Sequence, residues 1–129
     1  EVTMMYGAQA AFLSAGGYHH HIGLNTWHSL NAPSAKQNAV GLYHTAFLYP
    51  TRADLARIFD RIRRTNYPLT GASDHGVSEA LYLDDPDGNG VELYWDRPKE
   101  LWPKNPDGSL TMFTRPLDLG GLLKELDPA

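Results

Sequence analysis

No cysteine occurs among the 129 residues, which excludes disulfides, thiolate catalysis and cysteine-held zinc or iron–sulfur centres. Positive charge is scarce too, with 11 Lys and Arg against 15 Asp and Glu and a formal net charge of -4. A surface that neutralises phosphates needs the opposite balance, so no nucleic-acid partner is expected. No apolar run approaches the roughly 20 residues of a membrane span, and no charged-then-apolar leader is visible. The expectation is a cytoplasmic protein without membrane contact. Glu1 falls directly into a strand-like run, so the natural chain is expected to begin earlier. The length suits one compact domain.

What the chain does have is a hairpin pattern at 81–95, LYLDDPDGNGVELYW. Two β-prone runs flank a six-residue turn of Asp, Pro, Gly and Asn, residues that preset φ or tolerate φ > 0. In the second run, alternation places Glu92 and Tyr94 on one face and Val91, Leu93 and Trp95 on the other. A carboxylate among apolar neighbours needs a partner, because an isolated ion there is costly. A metal ion would serve. So would water at an edge strand, and the strand alone leaves both open.

The other elements follow in order. Residues 1–6 and 9–15 form a hairpin around Gly7-Ala8, and 18–27 is a third strand before a polar connector with Pro33. Residues 42–49 are apolar on both faces, which predicts a buried strand stopped by Pro50. Leu55, Ile58, Phe59 and Ile62 then recur at helical spacing, with Thr51 and Asp54 as a capping-box-like start, so a helix is predicted over 51–64. Its Arg57, Asp60, Arg61, Arg63 and Arg64 form a solvated outer face. Strand resumes near 68–72 and at 77–83, and beyond 98 the chain is turn-rich apart from a short helix near 119–126. The order is βββ, loop, βαβββ.

Six histidines are present. Alternation in the third strand sets His19, His21 and Gly23 against His20, Ile22 and Leu24, so at least one imidazole should point inward. His44 sits alone in the most apolar strand, where a neutral imidazole can ligate a metal. A buried histidine bonded to a carbonyl has the same pattern. His75 lies in a loop beside the hairpin, and surface histidines are common there. His28 carries no signal.

Taken together, Leu42-Tyr43-His44-Thr45-Ala46-Phe47, the helix, and Asp85-Pro86-Asp87-Gly88-Asn89-Gly90-Val91-Glu92 resemble the vicinal oxygen chelate superfamily of glyoxalases, bleomycin-resistance proteins and extradiol dioxygenases. The likeness covers nearly the whole chain and is strongest to catechol 2,3-dioxygenase-like members. It implies an α+β fold of paired βαβββ modules whose sheets curl around a metal cleft. One domain would fill 1–129, with a partial first module over about 1–30, a second module over 40–98 and an extension over 99–129. The resemblance implies two metal ligands, His44 and Glu92, of the family's two-His, one-carboxylate set, which leaves open positions for substrate and dioxygen. The first His ligand has no counterpart. By the same resemblance His20, His75 and Tyr82 are catalytic, handling protons near bound dioxygen and substrate. The implied cofactor is Fe(II), or alternatively Mn(II) or another divalent metal. The implied partners are a small aromatic diol, dioxygen and a second copy in a homodimer. Tyr18, Phe47, Tyr94 and Trp95 are candidate walls for a flat ring. Gly23 stands where glyoxalase-type members carry a carboxylate, which favours three protein ligands. A glyoxalase-like lyase or isomerase, and a metal-free binding protein of the resistance type, remain the alternatives.

Overall fold

A computed structural model describes residues 1–34, 36 and 38–127. The chain divides into two compact units, Glu1–Ala39 and Val40–Ala129. The first is a three-stranded antiparallel sheet of β1 (Val2–Tyr6), β2 (Ala10–Leu13) and β3 (Ile22–Asn25), in that order. β3 is shorter than expected. His19, His20 and His21 precede it in bent, exposed backbone, so strand alternation does not act on them, and His21 Nδ1 lies 2.8 Å from the buried Ser14 hydroxyl. Two consecutive glycines at positive φ, Gly16 and Gly17, set up that bend.

The second unit carries β4 (His44–Leu48), α1 (Arg52–Arg64), β5 (Gly71–Asp74), β6 (Ser78–Asp84), β7 (Gly90–Asp96), β8 (Arg115–Pro116) and α2 (Leu119–Leu123). Its sheet order is β4-β7-β6-β5-β8, with β4 parallel to β7 and the other pairs antiparallel. The element order βββ then βαβββ, and the α+β class, are those expected from the sequence. Two features differ. β4 is an edge strand whose Leu48 is 57% exposed, so its apolar composition did not mean burial. The short β8, pairing with β5, lies in a stretch that reads as turns.

Thr51 caps α1 by accepting the Asp54 N–H at 3.1 Å, and Asn66, at φ 53, turns the chain back beyond the helix end. Leu55, Ala56, Phe59 and Ile62 form the inner face of α1 and pack with Leu81, Leu93, Leu117 and Leu122. Phe47, Leu83, Val91 and Trp95 join that core. Phe47 and Trp95 therefore serve the core rather than line a cleft.

On the α1 side of the sheet lies one buried carboxylate, Glu79, at 4% exposure. Arg52 Nε reaches its Oε2 at 2.8 Å and Arg97 Nη2 its Oε1 at 2.7 Å. Arg52 also bonds Glu125, and Arg97 bonds Asp74, so one charge network ties the start of α1, the ends of β5 and β7, and the C-terminal turn. Removing one partner of a desolvated pair leaves the others uncompensated. Glu79→Ala should cost about 3 kcal/mol in urea unfolding, the low end of roughly 3–5 because both arginines keep some solvent contact.

Burial pushes the Asp74 carboxyl up, but the Arg97 guanidinium and the Gly76 N–H outweigh it and leave its pKa lowered. A carboxyl depressed by folding stabilises fully above its unfolded value, near about 3.9, and loses that contribution as pH falls through the folded value. Asp74→Asn should therefore be less stable than the wild-type chain at neutral pH, with the gap closing toward strong acid, as denaturant midpoints at the two pH values would report.

Candidate functional site

The face of the second sheet opposite α1 brings four polar side chains together. The register sets Tyr82 opposite Glu92 across β6 and β7, and Ala46 opposite Glu92 across β4 and β7. Because Cβ directions alternate, His44, Glu92 and Tyr82 share this face. His44 Nε2 lies 3.0 Å from Glu92 Oε2, with the two side chains 31% and 16% exposed. Tyr82 donates its hydroxyl to Glu92 Oε1 at 3.0 Å, and His75 Nε2 is 2.9 Å from the same hydroxyl. Of the residues singled out in the sequence, His44, His75, Tyr82 and Glu92 thus form one chain of contacts. His20 belongs to the first unit, where its Nδ1 lies 2.7 Å from His19 Nδ1 and its ring stands edge-on to Phe12.

The local sequence explains the convergence. Asp85 Oδ1 accepts the N–H groups of Asp87 and Asn89, and its Oδ2 accepts the Asn89 amide, so the loop closes on itself. Gly88 takes the left-handed φ of 84. The strands extend to Asp84 and from Gly90, leaving 85–89 as the loop, one residue shorter than expected. Gly90 pairs with His44 across the parallel strands. A Cβ there would collide with the Tyr43 carbonyl oxygen and press on His44 Cβ. Gly90 is thus what lets β4 close on the sheet beside Glu92. Gly90→Ala should destabilise the chain by roughly 1–3 kcal/mol and separate His44 from Glu92, whereas Ala46→Gly, on the same exposed edge, should leave that pair intact. Denaturant unfolding and nuclear Overhauser contacts of the His44 ring would check both.

A cleft of about 370 Å³ opens beside the pair, lined among others by Tyr43, His44, Gly71, Tyr82 and Gly90. That is the lower part of the size range of small-molecule sites. Tyr94 shares this face, while Tyr18 lies in the first unit.

Proton counting constrains what the contact chain can do. His75 Nδ1 lies 3.1 Å from the Phe113 carbonyl oxygen, so the chain runs from that carbonyl through His75 and Tyr82 to the Glu92 carboxylate. Both ends only accept. Three bonds need three protons, whereas a neutral imidazole and a phenol supply two. The two protons of a neutral imidazole and a phenol satisfy two of the three contacts at a time. When His75 carries its proton on Nε2, the Thr114 hydroxyl, 3.3 Å from Nδ1, can donate to that nitrogen. Burial, reinforced by the hydrogen bond to Glu92 and its charge, pushes the Tyr82 phenol up to about 12. Tyr82 is accordingly a donor at neutral pH, not a base.

The His44–Glu92 pair also fits a metal. Two nitrogen or oxygen donors each about 2.0–2.2 Å from one ion and at right angles about it stand roughly 3 Å apart, and the facing atoms here are 3.0 Å apart. Among the described residues, no third His, Asp or Glu joins them. Sequence reading missed Glu79, Arg52 and Arg97. Glu79, second in β6 and between Ser78 and Ala80, lacks the apolar neighbours that mark Glu92, and it finds arginines instead.

Comparison with known proteins places these features in a family. Residues 1–93 match the model of the Glyoxalase/Bleomycin resistance protein/Dioxygenase superfamily, and the chain belongs to that superfamily. It is 44% identical over 90 residues to a catechol-2,3-dioxygenase of Bacillus subtilis, covering 70% of this chain and 31% of that protein. It is 38% identical over 85 residues to biphenyl-2,3-diol 1,2-dioxygenase 3 of Rhodococcus globerulus, covering 66% and 45%. The chain thus spans less than half the length of either relative. Lactoylglutathione lyase from Agrobacterium tumefaciens shares the fold, with a TM-score of 0.53 at 22% identity over 74% of each chain.

Proposed function

We propose that this chain forms the metal-holding part of an extradiol-type ring-cleavage dioxygenase acting on a catechol-like diol. The observation that carries the reading is the meeting of His44 and Glu92 at 3.0 Å on the open sheet face, with Tyr82 and His75 behind them. An imidazole and a carboxylate are two of the three donors typical of non-haem Fe(II) oxygenases. His44 and Glu92 would hold the ion, Fe(II) or alternatively Mn(II), in the apposition tested above. When bound, the metal would supply Lewis acidity toward a diol and a redox route to dioxygen. Identity to two diol dioxygenases supports the same assignment.

The roles of the remaining residues follow from this chain's own contacts. Tyr82, kept protonated, donates its one hydroxyl proton to Glu92 and so orients the carboxylate, while its ring lines the cleft. His75, whose Nε2 lies 2.9 Å from the Tyr82 hydroxyl, is assigned to proton handling on the resemblance. Tyr43, 88% exposed at the cleft, offers an aromatic wall to a flat ring. His20 is assigned to proton handling on the resemblance alone. A homodimer, a cytoplasmic setting and a single domain made of a partial first module, a second module and an extension belong to the same proposal. No helix among the described residues is long and apolar enough to cross a membrane.

Glu92→Gln keeps the volume and removes the charge. After anaerobic Fe(II) reconstitution it should fold like the wild-type chain, lose bound iron and lose cleavage of catechols. Wild-type iron content and cleavage rates in that variant would overturn the reading, and glyoxalase-like turnover of a hemithioacetal by the metal-loaded wild type would favour the lyase alternative.

A further inference from the structure

We propose that Arg97 is a positioning residue for the candidate site, gripping Asp74 from the α1 side of the sheet and so fixing the aim of His75 on the opposite side. The inference rests on the reading of His75 as a site residue. Asp74 and Glu79 are direct cross-strand partners at the end of the β5–β6 hairpin, and two carboxylates so placed repel each other. The Arg97 guanidinium spans both: Nη1 is 2.6 Å from Asp74 Oδ1, while Nη2 is 3.1 Å from Asp74 Oδ2 and 2.7 Å from Glu79 Oε1.

Residues 75–77 alone join β5 to β6, and His75 is the first of them. The residues flanking His75 are tied to Arg97 directly or through Asp74. Asp74 Oδ1 accepts the Gly76 N–H at 2.8 Å, the Arg97 backbone N–H donates to the Val77 carbonyl at 2.8 Å, and Nη1 reaches the Ser78 carbonyl at 3.4 Å. The turn cannot yield toward the C-terminal segment, because even a Cβ on Gly76 would strike the Phe113 ring and Pro103. With Asp74 held toward α1, His75 leaves the end of β5 with its Nε2 against the Tyr82 hydroxyl on the opposite face. The grip depends on two parallel N–H bonds to one carboxylate, a geometry that Lys cannot reproduce although it keeps the charge.

The test is made on the whole chain. R97K keeps the charge and loses the fork, and D74A removes the same link from the partly exposed side. Both variants are expected to retain a cooperative thermal transition. By NMR of the metal-free protein, both should lose the nuclear Overhauser contact between the His75 and Tyr82 rings and the exchange-protected ring N–H signal of His75. The double variant should go no further than either single one. With iron and a catechol, kcat should fall roughly tenfold to hundredfold with KM nearly unchanged. Persistence of the ring contact and the ring N–H signal in folded R97K and D74A would overturn the proposal, and if R97K does not fold, persistence in D74A alone would do so. A wild-type chain without ring cleavage would instead count against the dioxygenase reading, while the NMR comparison, which needs neither metal nor substrate, would still decide the role of Arg97.

Discussion

A parallel strand pair cannot be closed by a tight turn, so β4 and β7 are joined by a long connection that runs through α1, β5 and β6. The geometry of the site depends on this pairing. It sets His44 next to Gly90 and Ala46 next to Glu92, bringing donors 48 residues apart in sequence to within 3.0 Å. The helix in that connection also covers the other face of the sheet with Leu55, Phe59 and Ile62. Burial of that apolar face is the main term holding the pairing in place.

Each face of the sheet then solves its own electrostatic problem. On the α1 side, Glu79 is desolvated and neutralised within the protein by Arg52 and Arg97. On the open side, Glu92 has a histidine and a phenol but, among the described residues, no guanidinium within bonding distance. Two glutamates on adjacent strands thus differ in whether a permanent cation neutralises them.

Much of this was legible from sequence where the signal was periodic. The helix, its Thr51 cap, the order of strands and the hairpin at 81–95 follow from spacing and turn chemistry. Alternation placed Glu92 and Tyr94 on one face, and the register of β6 and β7 agrees. His44, Tyr82 and His75 were reached through resemblance; the first two contact Glu92, and His75 contacts Tyr82. The shortfalls have physical causes. An apolar strand can lie at an edge, so composition overstated the burial of β4. Backbone bends at Gly16 and Gly17 remove His19, His20 and His21 from strand geometry. The Arg52–Glu79–Arg97 network joins residues far apart in sequence, and no periodicity marks such a contact.

Because side chains alternate along each strand, neighbouring positions in β4, β6 and β7 answer to different selective pressures. Substitutions on the open face can change which molecule is held or transformed while the packing against α1 is untouched, and repacking under α1 can proceed without redesigning the chemistry. A lineage built on this sheet can thus diversify at alternate positions with little loss of foldability, which is one way a single architecture comes to host lyases, resistance proteins and dioxygenases.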